Sequence, residues 1–191
     1  MRRPSKIVAV LIAIPIVISL FFSSNIYNYF RFKSYCSDEG GLRVYEKLEK
    51  NIGLMADDYD SAHMAAQLKY IDFVRYKEKK DGLFYDLRYI GGEPQSINSY
   101  SKVPADESKH ILYYWNEVNY FVKNEKNLFK FGYEITDINR KNMLARYYMF
   151  EYLLYIGPLD SKSTQSCFRE GGSSISDIAR WRKELISVFK S

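Results

Sequence analysis

Asp57, Asp58, Asp60 and His63 form the only tight group of acids and histidine in the chain. Asp60 and His63 stand three residues apart, so a helix would place them on one face. A carboxylate and an imidazole so placed are the raw material of a metal site or of acid–base chemistry. However, the stretch lacks the glycine and the distal glutamate of a calcium-binding loop. Aspartates at a helix start are also ordinary capping groups. The expectation is therefore capping, with Asp57, Asp60 and His63 kept as the metal candidates and no cofactor assigned. His110 follows "ADESK" with no second histidine or nucleophile near it in sequence, which fits a surface position. No G-x-S-x-G, phosphate loop or dinucleotide fingerprint is present, so no catalytic residues are assigned.

The other reactive pair is Cys36 and Cys167, the only two cysteines. An even count in a chain that reads as exported implies a disulfide. Closing so long a loop would stabilise the fold by at most about 5 kcal/mol in the chain-entropy model.

The export reading comes from the N-terminus. "MRRPSK" is basic, and Ile7 to Phe22 is apolar with one Ser and with Pro15. Sixteen residues of helix rise about 24 Å, a little short of a hydrocarbon core of about 30 Å. Residues 23–27 could extend the span. Bulky Phe21 and Phe22 at the −3 positions make a poor cleavage site, so a retained signal anchor is expected, although cleavage stays open. Tyr27, Tyr29, Phe30 and Phe32 would form an interfacial belt, or else simply begin the domain. The basic start puts the N-terminus in the cytoplasm and the rest in the periplasm.

Composition narrows the classes further. Of the net charge of +5, more than half comes from Arg2, Arg3 and Lys6, which have no acid near them. No basic stripe remains elsewhere, which argues against nucleic acid as a partner. With 47% hydrophobic residues, 18 Tyr and 12 Phe, the chain can build a core rich in strands.

The elements that must position these residues are read from periodicity. Leu42 to Lys50 reads as a short strand after a Gly-Gly turn, and residues 54–68 as a helix. "YIDFVRYKEK" and "LFYDLRYI" alternate on either side of "KDG", a hairpin signature. Residues 91–109 read as a long loop. Ile111–Val122, Leu128–Thr136 and Met143–Ile156 form a meander, and a second loop carries Cys167. Ser174 opens an amphipathic helix with Ile178, Trp181, Leu185, Val188 and Phe189 on its apolar stripe. The expected fold is α+β: an N-terminal transmembrane helix, one antiparallel meander of five or six strands, and a C-terminal amphipathic helix. Residues 1–33 would be the anchor and 34–191 the periplasmic domain.

Cys36, Gly40, Gly41, Val44 and Tyr45, with Asp137, Leu144, Ala145 and Cys167 far downstream, resemble a pattern in small exported or membrane-anchored proteins of unknown function from Gram-negative bacteria. The resemblance covers the two ends of the exported part. It implies location and fold and carries no catalytic residues. Two functional expectations follow. The first is a single-pass inner-membrane protein, in contact with membrane lipid, that acts on an envelope protein partner in an accessory or immunity-type role. The second is a periplasmic small-ligand binder or hydrolase that uses the Asp57–His63 region or the 91–109 loop.

Overall fold

In the computed structural model the described residues are 25–125, 127–156, 161–167 and 184–190, together with Pro15 and Ser23. They form helix α1 (residues 25–38), helix α2 (Tyr59–Ala65) and nine strands. The strands are β1 (Gly41–Val44), β2 (Ile52–Ala56), β3 (Ile71–Lys77), β4 (Phe84–Tyr89), β5 (Tyr100–Pro104), β6 (Ile111–Phe121), β7 (Leu128–Asp137), β8 (Met143–Ile156) and β9 (Ser161–Ser166). All nine belong to one sheet, ordered β1-β8-β7-β6-β2-β3-β4-β5, with β9 also on β8.

This corrects the expected fold. The sheet is mixed: β2 runs parallel to both β3 and β6, and the other pairings are antiparallel. The expected helix over 54–68 divides in two. Asp58 takes an extended conformation and its carboxylate accepts from the Ser61 N–H, so the helix starts at Tyr59 and the apolar "IGLMA" before it becomes a central strand. β2–α2–β3 is then a crossover between adjacent parallel strands. The β3–β4 hairpin and the β6–β7–β8 meander form where the alternation places them.

The membrane placement is corrected too. Ile7 and Phe22 lie outside the described residues, and only Pro15 of that segment is described. Among the described residues no helix is long and apolar enough to cross a membrane. A span takes about 20 apolar residues. Residues 25–38 of α1 number fewer than that and include Arg31, Lys33 and Asp38. The expectation of a single-pass inner-membrane protein with a periplasmic domain is therefore not carried further. Instead, α1 lies on the sheet: Phe32 is buried against Tyr152 and half-buried Tyr35 packs on Phe150, while Tyr27 and Phe30 are exposed.

The two faces of the sheet carry separate cores. On the α2 face, Leu54, Val74, Tyr76, Leu87, Trp115, Ile135 and Ala145 pack with Ala62 and Ala65 of α2. Leu185, Val188 and Phe189 close this core, and Leu48 forms a parallel bridge with Phe189. The expected terminal helix is described only at this end, where Ile186–Val188 is a 3-10 turn. On the α1 face, Phe32 meets Val118, Leu128, Tyr148, Phe150 and Tyr152.

Farther along the α1 face, the segment between β5 and β6 crosses back over β4 and β3. It is fixed by a buried ion pair. Arg75 Nε and Nη2 donate to Asp86 at 2.7 and 3.0 Å, Arg75 Nη2 donates to the Asp106 carbonyl at 2.6 Å, and Asp86 accepts from the Asp106 N–H at 3.2 Å. Phe73 reaches across to β2 beneath this crossing, where a Cβ on Gly53 would stand 2.3 Å from its ring.

Candidate functional site

The structure joins one pair of the sequence candidates and disperses the rest. Cys36 and Cys167 form a disulfide with an S–S distance of 2.07 Å and a Cα–Cα distance of 5.3 Å. It links the end of α1 to the residue after β9. The acidic group does not converge. Asp57 turns toward the α1 face, where it accepts from the Tyr114 hydroxyl and pairs with Arg140 at 3.2 Å. Asp58 caps α2 and pairs with Lys79. Its hydrogen bond from the Ser61 N–H holds its carboxyl below the usual range. Asp60 is exposed. His63 lies on the α2 face, its ring 4.2 Å from that of Tyr100 and 5.8 Å from that of Tyr59. His110 is exposed. No group of three or more His, Cys, Asp or Glu able to hold a metal occurs among the described residues.

A different set of residues does converge. Between α1 and the β5–β6 crossing, the α1 face opens into a groove. Tyr114, Asn116, Glu134, Thr136, Arg140, Lys141 and Met143 line a cavity of about 260 Å³. Ladder register extends two of the lining residues, Asn116 and Glu134, into a row of side chains that runs on beside the cavity. Asn116 is opposite Glu134, Glu134 is opposite Arg146, and Arg146 is opposite Arg43. Opposite residues in an antiparallel pair share a face, so these four side chains form one row across four strands.

Within the row the carboxylate is fully engaged. Glu134 accepts from the Tyr148 hydroxyl through one oxygen and from Asn116 through the other. The Tyr148 ring lies between two cations, with Lys130 Nζ 3.6 Å and the Arg146 guanidinium 4.6 Å from its centre. Burial, and then the bond to Glu134, push the Tyr148 phenol well above the ordinary tyrosine range. Tyr114 is held the same way: Arg140 stacks 3.5 Å over its ring, and burial plus the bond to Asp57 push its phenol up. Gly132, next to Tyr148 across the ladder, has φ of +146°, and a Cβ there would stand 1.9 Å from the Tyr147 carbonyl. Only glycine suits this conformation.

The cations are less well matched. Lys130 pairs with Glu39 and Arg140 with Asp57. Arg43 donates to the carbonyl of Asp38 at the end of α1. Arg146 forms no ion pair among the described residues, and its buried Nε has no hydrogen-bond partner there. Arg43 is its cross-strand neighbour, and like charges directly opposite one another repel. The row thus carries an excess of positive charge, and one of its guanidinium nitrogens, the Arg146 Nε, is buried without a partner among the described residues.

Compared with known proteins, the chain matches no family, no curated protein and no solved structure. Geometry alone therefore carries the functional reading. Both phenols of the groove stay protonated at neutral pH, and both oxygens of Glu134 are occupied. This arrangement fixes charge in position and does not prepare a nucleophile. Sequence reasoning missed this row. The signal available was Arg146 in line with Tyr148, Phe150 and Tyr152 on one face of β8. Its unmatched charge shows only once Arg43 and Glu134 are placed beside it.

Proposed function

We propose that the protein is a recognition domain that acts by protein–protein contact, in an accessory or immunity-type role, and that the groove on the α1 face receives carboxylates of its partner. The observation that carries the reading is Arg146. A buried polar group without a partner costs about 1–3 kcal/mol, and more when charged. A half-buried guanidinium whose Nε is in that state, beside Arg43 and next to the cavity, is suited to an incoming carboxylate, which a guanidinium can bind through two parallel bonds. The disulfide supports work in an oxidising compartment.

The test is calorimetric titration with a hexaglutamate peptide, with hexalysine as control. Wild type is expected to bind hexaglutamate alone, more weakly as salt rises. Arg146→Gln is expected to lose about tenfold or more in affinity, since hydrogen bonds to charged groups contribute about 1.5–3 kcal/mol. A partner captured from cells should be retained by wild type and lost with Arg146→Gln. Equal binding by both forms, or no binding of the acidic peptide, would overturn the proposal.

A further inference from the structure

The α2 face holds a second concavity, unrelated to the groove. Tyr59 of α2, Glu78 after β3, Leu87 of β4, Ile97 of the 3-10 turn Ile97–Ser99, and Tyr100 and Lys102 of β5 line a cleft of about 350 Å³. This size falls within the range of roughly 300–1,000 Å³ usual for small-ligand pockets. The cleft joins the Asp57–His63 segment to the 91–109 segment, although the aspartates do not line it.

Two of its walls are the rings of Tyr59 and Tyr100, and hydroxyl bonds fix Tyr100 and the neighbouring tyrosines outside the lining. Tyr100 donates to the Pro94 carbonyl at 2.8 Å, Tyr85 donates to Asp81 at 2.8 Å, and Tyr89 donates to the Gly92 carbonyl. The Tyr100 wall, and the Tyr89 ring packed 5.3 Å from it, are thereby oriented before any ligand arrives. One charged pair stands at the wall. Lys102 Nζ donates to Glu78 at 2.7 Å and lies 4.2 Å from the Tyr85 ring centre and 5.6 Å from that of Tyr76. The two charges neutralise each other, so neither an anion nor a cation finds an uncompensated partner. A wholly apolar ligand would dry that pair without replacing its hydrogen bonds to water, which is unfavourable.

A neutral molecule with an apolar ring face and several hydroxyls meets both conditions. We propose that this cleft binds an uncharged pyranose sugar. The C–H face of the sugar would stack on the tyrosine rings, and its hydroxyls would donate to Glu78 and accept from Lys102. Exposed Ile97 forms the rim of the cleft.

The experiment is saturation-transfer NMR on the full protein with methyl glucoside, methyl galactoside, methyl mannoside and N-acetylglucosamine. Glucuronate and glucosamine serve as charged counterparts. At least one neutral sugar is expected to receive saturation on its ring protons, and the charged analogues less. Glu78→Gln and Lys102→Gln are expected to keep the wild-type melting temperature and to weaken binding about tenfold, as befits hydrogen bonds to charged groups. Ile97→Ala, at an exposed position, is the second check and should reduce transfer without unfolding the protein. Arg146→Gln should bind sugar normally, which separates this site from the groove. Absence of transfer to every neutral sugar, preference for a charged analogue, or undiminished binding by the Glu78 and Lys102 variants would overturn the inference.

Discussion

Replacing Asp86 by Ala should be among the most damaging single changes in this fold, and its size can be worked from the geometry. Asp86 is 0% exposed and Arg75 is 9% exposed. The carboxylate takes two bonds from Arg75, at 2.7 and 3.0 Å, and a third from the Asp106 N–H. The hydrogen bond to Asp86 is the largest influence holding the Arg75 guanidinium charged. Removing the carboxylate therefore leaves a buried cation uncompensated, which costs about 3–5 kcal/mol. At roughly 2–4 °C per kcal/mol for a chain of this size, the melting temperature should fall by about 6–20 °C. Circular dichroism melts measure this directly. Hydrogen exchange should quicken at the amides of Ala105 and Asp106, which bond to the Phe84 carbonyl and to Asp86. The double variant Arg75→Met with Asp86→Leu removes both charges and should recover most of the loss, because paired burial is close to neutral against apolar replacement. If Asp86→Ala melts within about 2 °C of wild type, or if the double variant is no better than the single, the account of the crossing is wrong.

Two further outcomes are expected. Cys36→Ser with Cys167→Ser opens a loop with a sequence separation of 131, so the unfolding free energy from denaturant titration should fall by up to about 5 kcal/mol, and reductant should reproduce the effect on wild type. Asp58→Ala should cost about 1 kcal/mol near neutral pH, as loss of a helix cap does. The folded Asp58 carboxyl is depressed below its unfolded value, so its contribution is complete above the unfolded pKa and is lost as pH falls through the folded one. Urea unfolding from neutral pH into the acid range should therefore show the difference between variant and wild type shrinking on the acid side, whereas a constant gap would contradict the cap.

The period-two segments were legible because aromatic or apolar residues alternate with charged or small ones, as in "LFYDLRYI" and along β7, even though β3 buries four residues in a row. That is how the β3–β4 hairpin and the β6–β7–β8 meander declare themselves. β2 was not legible. Its five residues "IGLMA" are covered on both faces, as parallel strands are, so alternation vanishes and the run merges with the helix behind it. β5 and β9 were read as loops because "YSKVP" and "SKSTQS" are polar, and β5 ends in proline, which the edge of a sheet tolerates. Of the sites, the Cys36–Cys167 pair followed from count alone. The groove did not, because Arg43, Glu134 and Arg146 become neighbours only through ladder register. The aromatic cleft shows the same limit, since Tyr59 and Tyr100 meet only across the β2–α2–β3 crossover.

The disulfide has one more consequence. Residues 36–167 form a covalent ring, and two arms leave it from a single point. The N-terminal arm carries α1 onto one face of the sheet. The C-terminal arm delivers Leu185, Val188 and Phe189 to the other. A protease that cuts once inside the ring, at the exposed Gly91-Gly92 turn for example, produces no separate fragments. The two pieces stay joined, with both arms attached, and only a reductant releases them. The nicked protein gains one water and loses no residue, a durable state where proteases are plentiful and reductants scarce.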